Sequence, residues 1–101
     1  MTTGNGREDG ADADREGAQE QQAAAKAARA LGLWAAQLMG LESPHRDDYA
    51  DAVIRHGGED AMARKIAQDL AGAGLKVNED QVRGKHDEFL AVARGQVQGE
   101  G

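Results

Sequence analysis

The sequence predicts an all-α fold: a small four-helix bundle preceded by a flexible acidic N-terminal arm. Three observations carry that prediction. From Thr2 to Ala30 there is no Val, Ile, Leu, Met, Phe, Trp or Tyr, and the first large apolar residues arrive together at Leu31-Gly32-Leu33-Trp34. After that point, large apolar residues recur at three- and four-residue steps, the period of a helix face. No segment alternates with period two, so strands have no support.

Taken in order, residues 1–17 hold Gly4, Gly6, Gly10 and Gly17 among acidic residues and are expected to be a disordered arm. A segment with nothing larger than alanine to bury does not offset the roughly 1–2 kcal/mol per residue that ordering a backbone costs. The folded domain is expected over 18–98. Its first helix, about 18–39, opens on an alanine-rich run, Ala23 to Ala30, of the strongest helix former. Leu31, Trp34, Leu38 and Leu41 then form one apolar stripe, and Gly40 stands where a left-handed cap ends a helix. Gly32, inside the helix, costs about 1 kcal/mol relative to alanine, so either a close helix contact uses it or the helix is weakened there.

The second helix is expected over about 44–56. Ser43 is a good N-cap, Pro44 suits the first turn, and Asp47 and Asp48 complement the helix dipole. Tyr49, Val53 and Ile54 are read as facing inward before Gly57-Gly58. A third helix, about 60–71, is capped by Asp60 and carries Met62, Ile66 and Leu70 at four-residue spacing. Leu75 and Val77 are candidate core plugs in the connection. Asn78 and Gln81 form a capping-box pair opening the last helix, about 79–94, with Val82, His86, Phe89, Leu90 and Ala93 on one face. The expected core is therefore Leu31, Trp34, Leu38, Tyr49, Val53, Met62, Ile66, Leu70, Val82 and Phe89.

Composition excludes several functions. The net charge is −6 with no clustered Lys/Arg stripe, which argues against nucleic-acid binding. There is no Cys, hence neither a disulfide framework nor a thiolate metal site. No apolar run reaches membrane-spanning length, so a soluble cytoplasmic protein, monomeric when free, is expected. About 75 residues around a modest core is near the size where folding alone becomes marginal.

Catalytic chemistry finds no support, and no enzyme, cofactor or metal is expected. His56-Gly57-Gly58-Glu59-Asp60 and His86-Asp87-Glu88 each hold metal-ligating residue types, but neither places two histidines one helical turn apart. His86 reads as a half-buried packing residue. Gly72-Ala73-Gly74-Leu75-Lys76 and Gly84-Lys85-His86 both fail the spacing of a phosphate loop. Weak adenine-nucleotide binding at a helix N-terminus stays open. Ser43 is a cap rather than a nucleophile.

The block Leu31-Gly32-Leu33-Trp34-Ala35-Ala36, followed by Met39-Gly40, resembles the zeta subunit family, bacterial inhibitors of the F-type ATP synthase. The resemblance continues through Tyr49 and Val53, Gly58-Glu59-Asp60, Lys65 and Asp69, and a last helix around Val82, Phe89 and Leu90. It implies a four-helix bundle that inhibits ATP hydrolysis. The implied mechanism is insertion of an N-terminal arm into the catalytic head of the synthase, peripheral to the membrane, as a one-way block. The arm residues assigned to that contact are Arg7, Arg15, Glu16, Glu20, Lys26 and Arg29. The family's arm carries phenylalanines, expected here near Ala13 and Gln21, so weakened or lost inhibition is expected. The alternative reading is a small helical adaptor or nucleotide-responsive binding protein with no inhibitory activity.

Overall fold

The computed structural model describes the backbone of residues 2–100 and the side chains of residues 17–97. The expected disordered arm, 1–17, lies outside the described side chains apart from Gly17. Four helices follow one another: α1 (Thr2–Leu38), α2 (His45–Ile54), α3 (Glu59–Gly72) and α4 (Glu79–Glu100). No strand occurs among the described residues. α1 packs along α4 on one side and α2 on the other, and α3 closes the bundle against α4.

Local rules explain most of the helix ends. Gly40 takes a φ of +80°, and Leu41 N–H donates to Ala36 C=O at 3.0 Å while Gly40 N–H donates to Gln37 C=O at 3.0 Å. That pair of bonds is a Schellman end, and it recurs after α3. There Gly74 has φ +82°, Leu75 N–H donates to Leu70 C=O at 2.9 Å and Gly74 N–H to Ala71 C=O at 3.0 Å. The turn also lays Leu75 and Val77 against the core. At the start of α4, Gln81 N–H donates to Asn78 Oδ1 at 2.8 Å and Asn78 N–H to Gln81 Oε1 at 2.9 Å, a complete capping box.

Two expected caps are displaced. α2 starts at His45 with Pro44 in the cap position, and the Ser43 hydroxyl lies 3.5 Å from Asp47 Oδ2 instead of meeting a backbone N–H. α3 starts at Glu59, two residues earlier than an Asp60 cap allows, with extended Gly58 as its cap. Asp60, inside the first turn, faces Arg83 Nη2 at 3.2 Å.

The core has two parts. The larger joins Ala28, Leu31, Ala35, Val53, Met62, Ala63, Ile66, Leu70 and Val82. Gly32 makes the α1–α2 approach: a Cβ there would lie 2.8 Å from Ala50 Cα and 3.1 Å from its Cβ. The smaller part joins Ala23 and Ala27 to Ala93 and Val97. Leu38, expected in the core, is 42% exposed, and Ile54 is exposed as well. Each is the last residue of its helix, where the chain turns away, and the buried face of α1 runs instead through Ala28, Leu31 and Ala35. Trp34, Tyr49 and Phe89 are half-buried and pack on the rim of the core rather than filling it.

Candidate partner-binding face of the N-terminal helix

The described part of α1 before Leu31 is built on alanine. Ala23 and Ala27, one helical turn apart, are fully buried on α4, so this segment takes part in the bundle although it carries no large apolar residue. Gln21, Gln22, Ala24, Ala25 and Lys26 face outward. An outward face of this kind has no aromatic side chain to anchor a partner.

The charged residues assigned to the arm divide into four groups. Arg7, Arg15 and Glu16 lie outside the described side chains. Glu20 reaches across to α4, where Arg94 donates from Nη2 at 2.6 Å and from Nε at 3.1 Å to its Oε1. The hydrogen bond and charge of Arg94 hold the Glu20 carboxyl below its usual range, and Glu20 in turn raises Arg94. Both side chains are at least half exposed, so water and salt screen the pair. Arg29 turns the other way, toward α2, with Nη1 2.8 Å from Asp51 Oδ1 and Nη2 3.4 Å from Asp47 Oδ1. Lys26 is exposed between them. Glu20 and Arg29 are thus not brought together; each ties α1 to a different neighbour.

Next to Glu20 a cavity of about 370 Å³ opens where α1, the α2–α3 turn and α4 meet. Ala24, Ala28, Gly58, Glu59, Met62 and His86 are among its walls. His86 is only 6% exposed, and its Nδ1 lies 3.3 Å from Glu59 Oε1 without forming a hydrogen bond. Ligand atoms of Glu59, His86 and Asp87 lie within 4.8 Å of one another, the one such group among the described residues. A second, shallower groove holds Trp34, Val77, Gln81 and Lys85, with the Lys85 amine 6.0 Å from the Trp34 ring centre. At the α2–α3 contact, the Tyr49 hydroxyl donates to Asp69 Oδ2 at 2.7 Å. Burial first, then that hydrogen bond and the charge of Asp69, raise the Tyr49 pKa well above its ordinary value.

Sequence reasoning missed Asp47, Asp51 and Arg94 as partners of the arm-side charges. It also weighed His56–Asp60 and His86–Glu88 as separate clusters, whereas the fold takes Glu59 from one and His86 and Asp87 from the other. Only the i to i+4 relation of Asp47 and Asp51 on one helix face was available as a signal. No described helix is long and apolar enough to cross a membrane. Among known families, the model for ATPase inhibitor subunit zeta matches residues 1–96, nearly the whole chain. Neither a curated protein nor a solved structure matches the chain.

Proposed function

The chain belongs to the ATPase inhibitor subunit zeta family, and we propose that it restrains ATP hydrolysis by the F-type ATP synthase through its N-terminal segment. The observation that carries this reading is the extent of the family match, which includes the whole segment before Leu31 as well as the bundle. In the proposed mechanism a free monomer meets the catalytic head on the cytoplasmic side. The beginning of α1 inserts between subunits and blocks rotation in the hydrolytic direction, and the bundle docks behind it. The protein acts as a regulator and not as a catalyst.

The alanine surface of α1 supports such a role in one respect and limits it in another. Alanine favours the helix that insertion requires. Without aromatic anchors, however, the contact gains little to offset the cost of ordering the inserted segment. The account therefore assigns this chain weak inhibition. The test is hydrolysis by the isolated synthase head, titrated with the native chain and with an Ala13→Phe/Gln21→Phe variant. Gln21 is exposed, so the substitution there leaves the bundle intact. Expected are shallow inhibition by the native chain and a lower half-inhibiting concentration for the variant. No inhibition by either chain overturns the inhibitor reading; strong inhibition by the native chain, unchanged in the variant, overturns the weakening.

A further inference from the structure

We propose that Glu59, His86 and Asp87 form a site for a divalent transition-metal ion that ties the start of α3 to α4. The three residues come from two helices: Glu59 opens α3, and His86 and Asp87 lie in the third turn of α4. Their ligand atoms fall within 4.8 Å of one another. An acidic cluster on a surface is common, and the cluster alone would mean nothing. The second observation is His86 itself: more than nine-tenths buried, with a shielded Nδ1 that makes no hydrogen bond and is aimed at the Glu59 carboxylate. A buried polar atom left in that state costs about 1–3 kcal/mol unless something satisfies it.

The spacing leaves room for a metal ion to satisfy it. A charge-assisted N–H···O bond draws its heavy atoms to about 2.7–2.9 Å. Here the Nδ1–Oε1 separation is 3.3 Å. Two ligands on a tetrahedral zinc ion at roughly 2.0–2.1 Å stand about 3.3–3.4 Å apart, the edge of the tetrahedron. Asp87, exposed at the surface, supplies the third ligand, and water completes the fourth position. Imidazole plus carboxylate selects zinc and its neighbours over magnesium or calcium, which take all-oxygen sites. Glu20, on the wall of the same cavity, is engaged by Arg94 and is not a ligand. The site does not depend on the inhibitory reading.

The experiment uses the full chain without an affinity tag, with zinc chloride as the probe. Imidazole resonances of His86 are followed by NMR beside those of the exposed His45 and His56, together with the melting temperature. Expected are a His86 shift complete near one equivalent of zinc, before His45 and His56 respond, and a melting temperature several degrees higher at saturation. Because removing the buried His86 risks the fold, the deciding variants are Glu59→Gln and Asp87→Asn. Each should weaken zinc binding by about tenfold or more, as even supporting groups around a metal do, with an unchanged melt in EDTA. Equal zinc affinity in the native and Glu59→Gln chains overturns the proposal. So does a His86 signal that ignores zinc.

Discussion

Leu31, Val53, Met62, Ile66, Leu70 and Val82 fill one end of the bundle, where all four helices contribute; at the other end Ala23 and Ala27 meet Ala93 and Val97 of α4, with half-buried Phe89 and Leu90 beside them. Burying a Leu, Ile or Val contributes roughly 1.5–3 kcal/mol, whereas each alanine contributes little more than one methyl group. The two ends thus differ several-fold in what holds them. The main core keeps the fold, and the alanine end holds the stretch of α1 around Ala23 and Ala27 on α4 without committing it there. Local opening at such an end costs far less than global unfolding. A segment that must exchange contacts with its own bundle for contacts with a partner is expected at the weakly held end.

The largest break in that comparison is Leu70→Ala. Leu70 is fully buried, so the variant should lose about 2–5 kcal/mol in urea unfolding and melt as a whole. Gly32→Ala comes next. Its new Cβ would meet Ala50 backbone at 2.8 Å, so a loss of about 1–3 kcal/mol is expected although alanine is the better helix former. A more stable Gly32→Ala variant would show that α1 and α2 do not need this approach.

Val97→Ala sharpens the contrast from the weak end. It should cost roughly 1–2 kcal/mol, two methylene equivalents, and hydrogen exchange should quicken along 17–30 and 90–97 while residues around Ile66 keep their protection. Uniform loss of protection would mean that the two ends act as one unit.

Tyr49→Phe gives the smallest effect near neutral pH, about 0.5–1.5 kcal/mol for one hydrogen bond. Its pH dependence has a definite sign. The folded-state pKa of Tyr49 lies above the unfolded value, so the unfolded chain loses the proton first. Its contribution is complete below about pH 10 and falls as pH rises from there toward the folded-state pKa. The native chain should therefore lose stability in that alkaline window and Tyr49→Phe should not. Tyr49 is the only tyrosine, so phenolate absorbance follows it directly.

What was legible beforehand follows range along the chain. The Gly40 ending and the Asn78–Gln81 box each follow from a few neighbouring residues, and both are present; Gly32 left a close contact and a weakened helix open, and its approach to Ala50 decides for the contact. Ser43 and Asp60 failed as caps because proline and glycine beside them also satisfy a helix start, and composition does not rank the two. Leu38 was assigned to the core by spacing alone, yet a helix that ends there leaves its last residue without a neighbour. The burial of Ala23 and Ala27 was illegible for a different reason. Side-chain size predicts nothing about a small residue until its partner, here Ala93 and Val97 some seventy positions away, is in place. The grouping of Glu59 with His86 and Asp87 needs the α3–α4 packing in the same way.

The measurement closest to the central claim is ATP hydrolysis by the isolated synthase head, with the full chain compared to a chain beginning at Ala23. That shorter chain keeps Ala23, Ala27 and every residue of the main core. The full chain is expected to slow hydrolysis; the shortened one, still helical and folded, is expected to leave it unchanged. Equal inhibition by the two would place the inhibitory contact on the bundle and contradict the role given to the N-terminal segment.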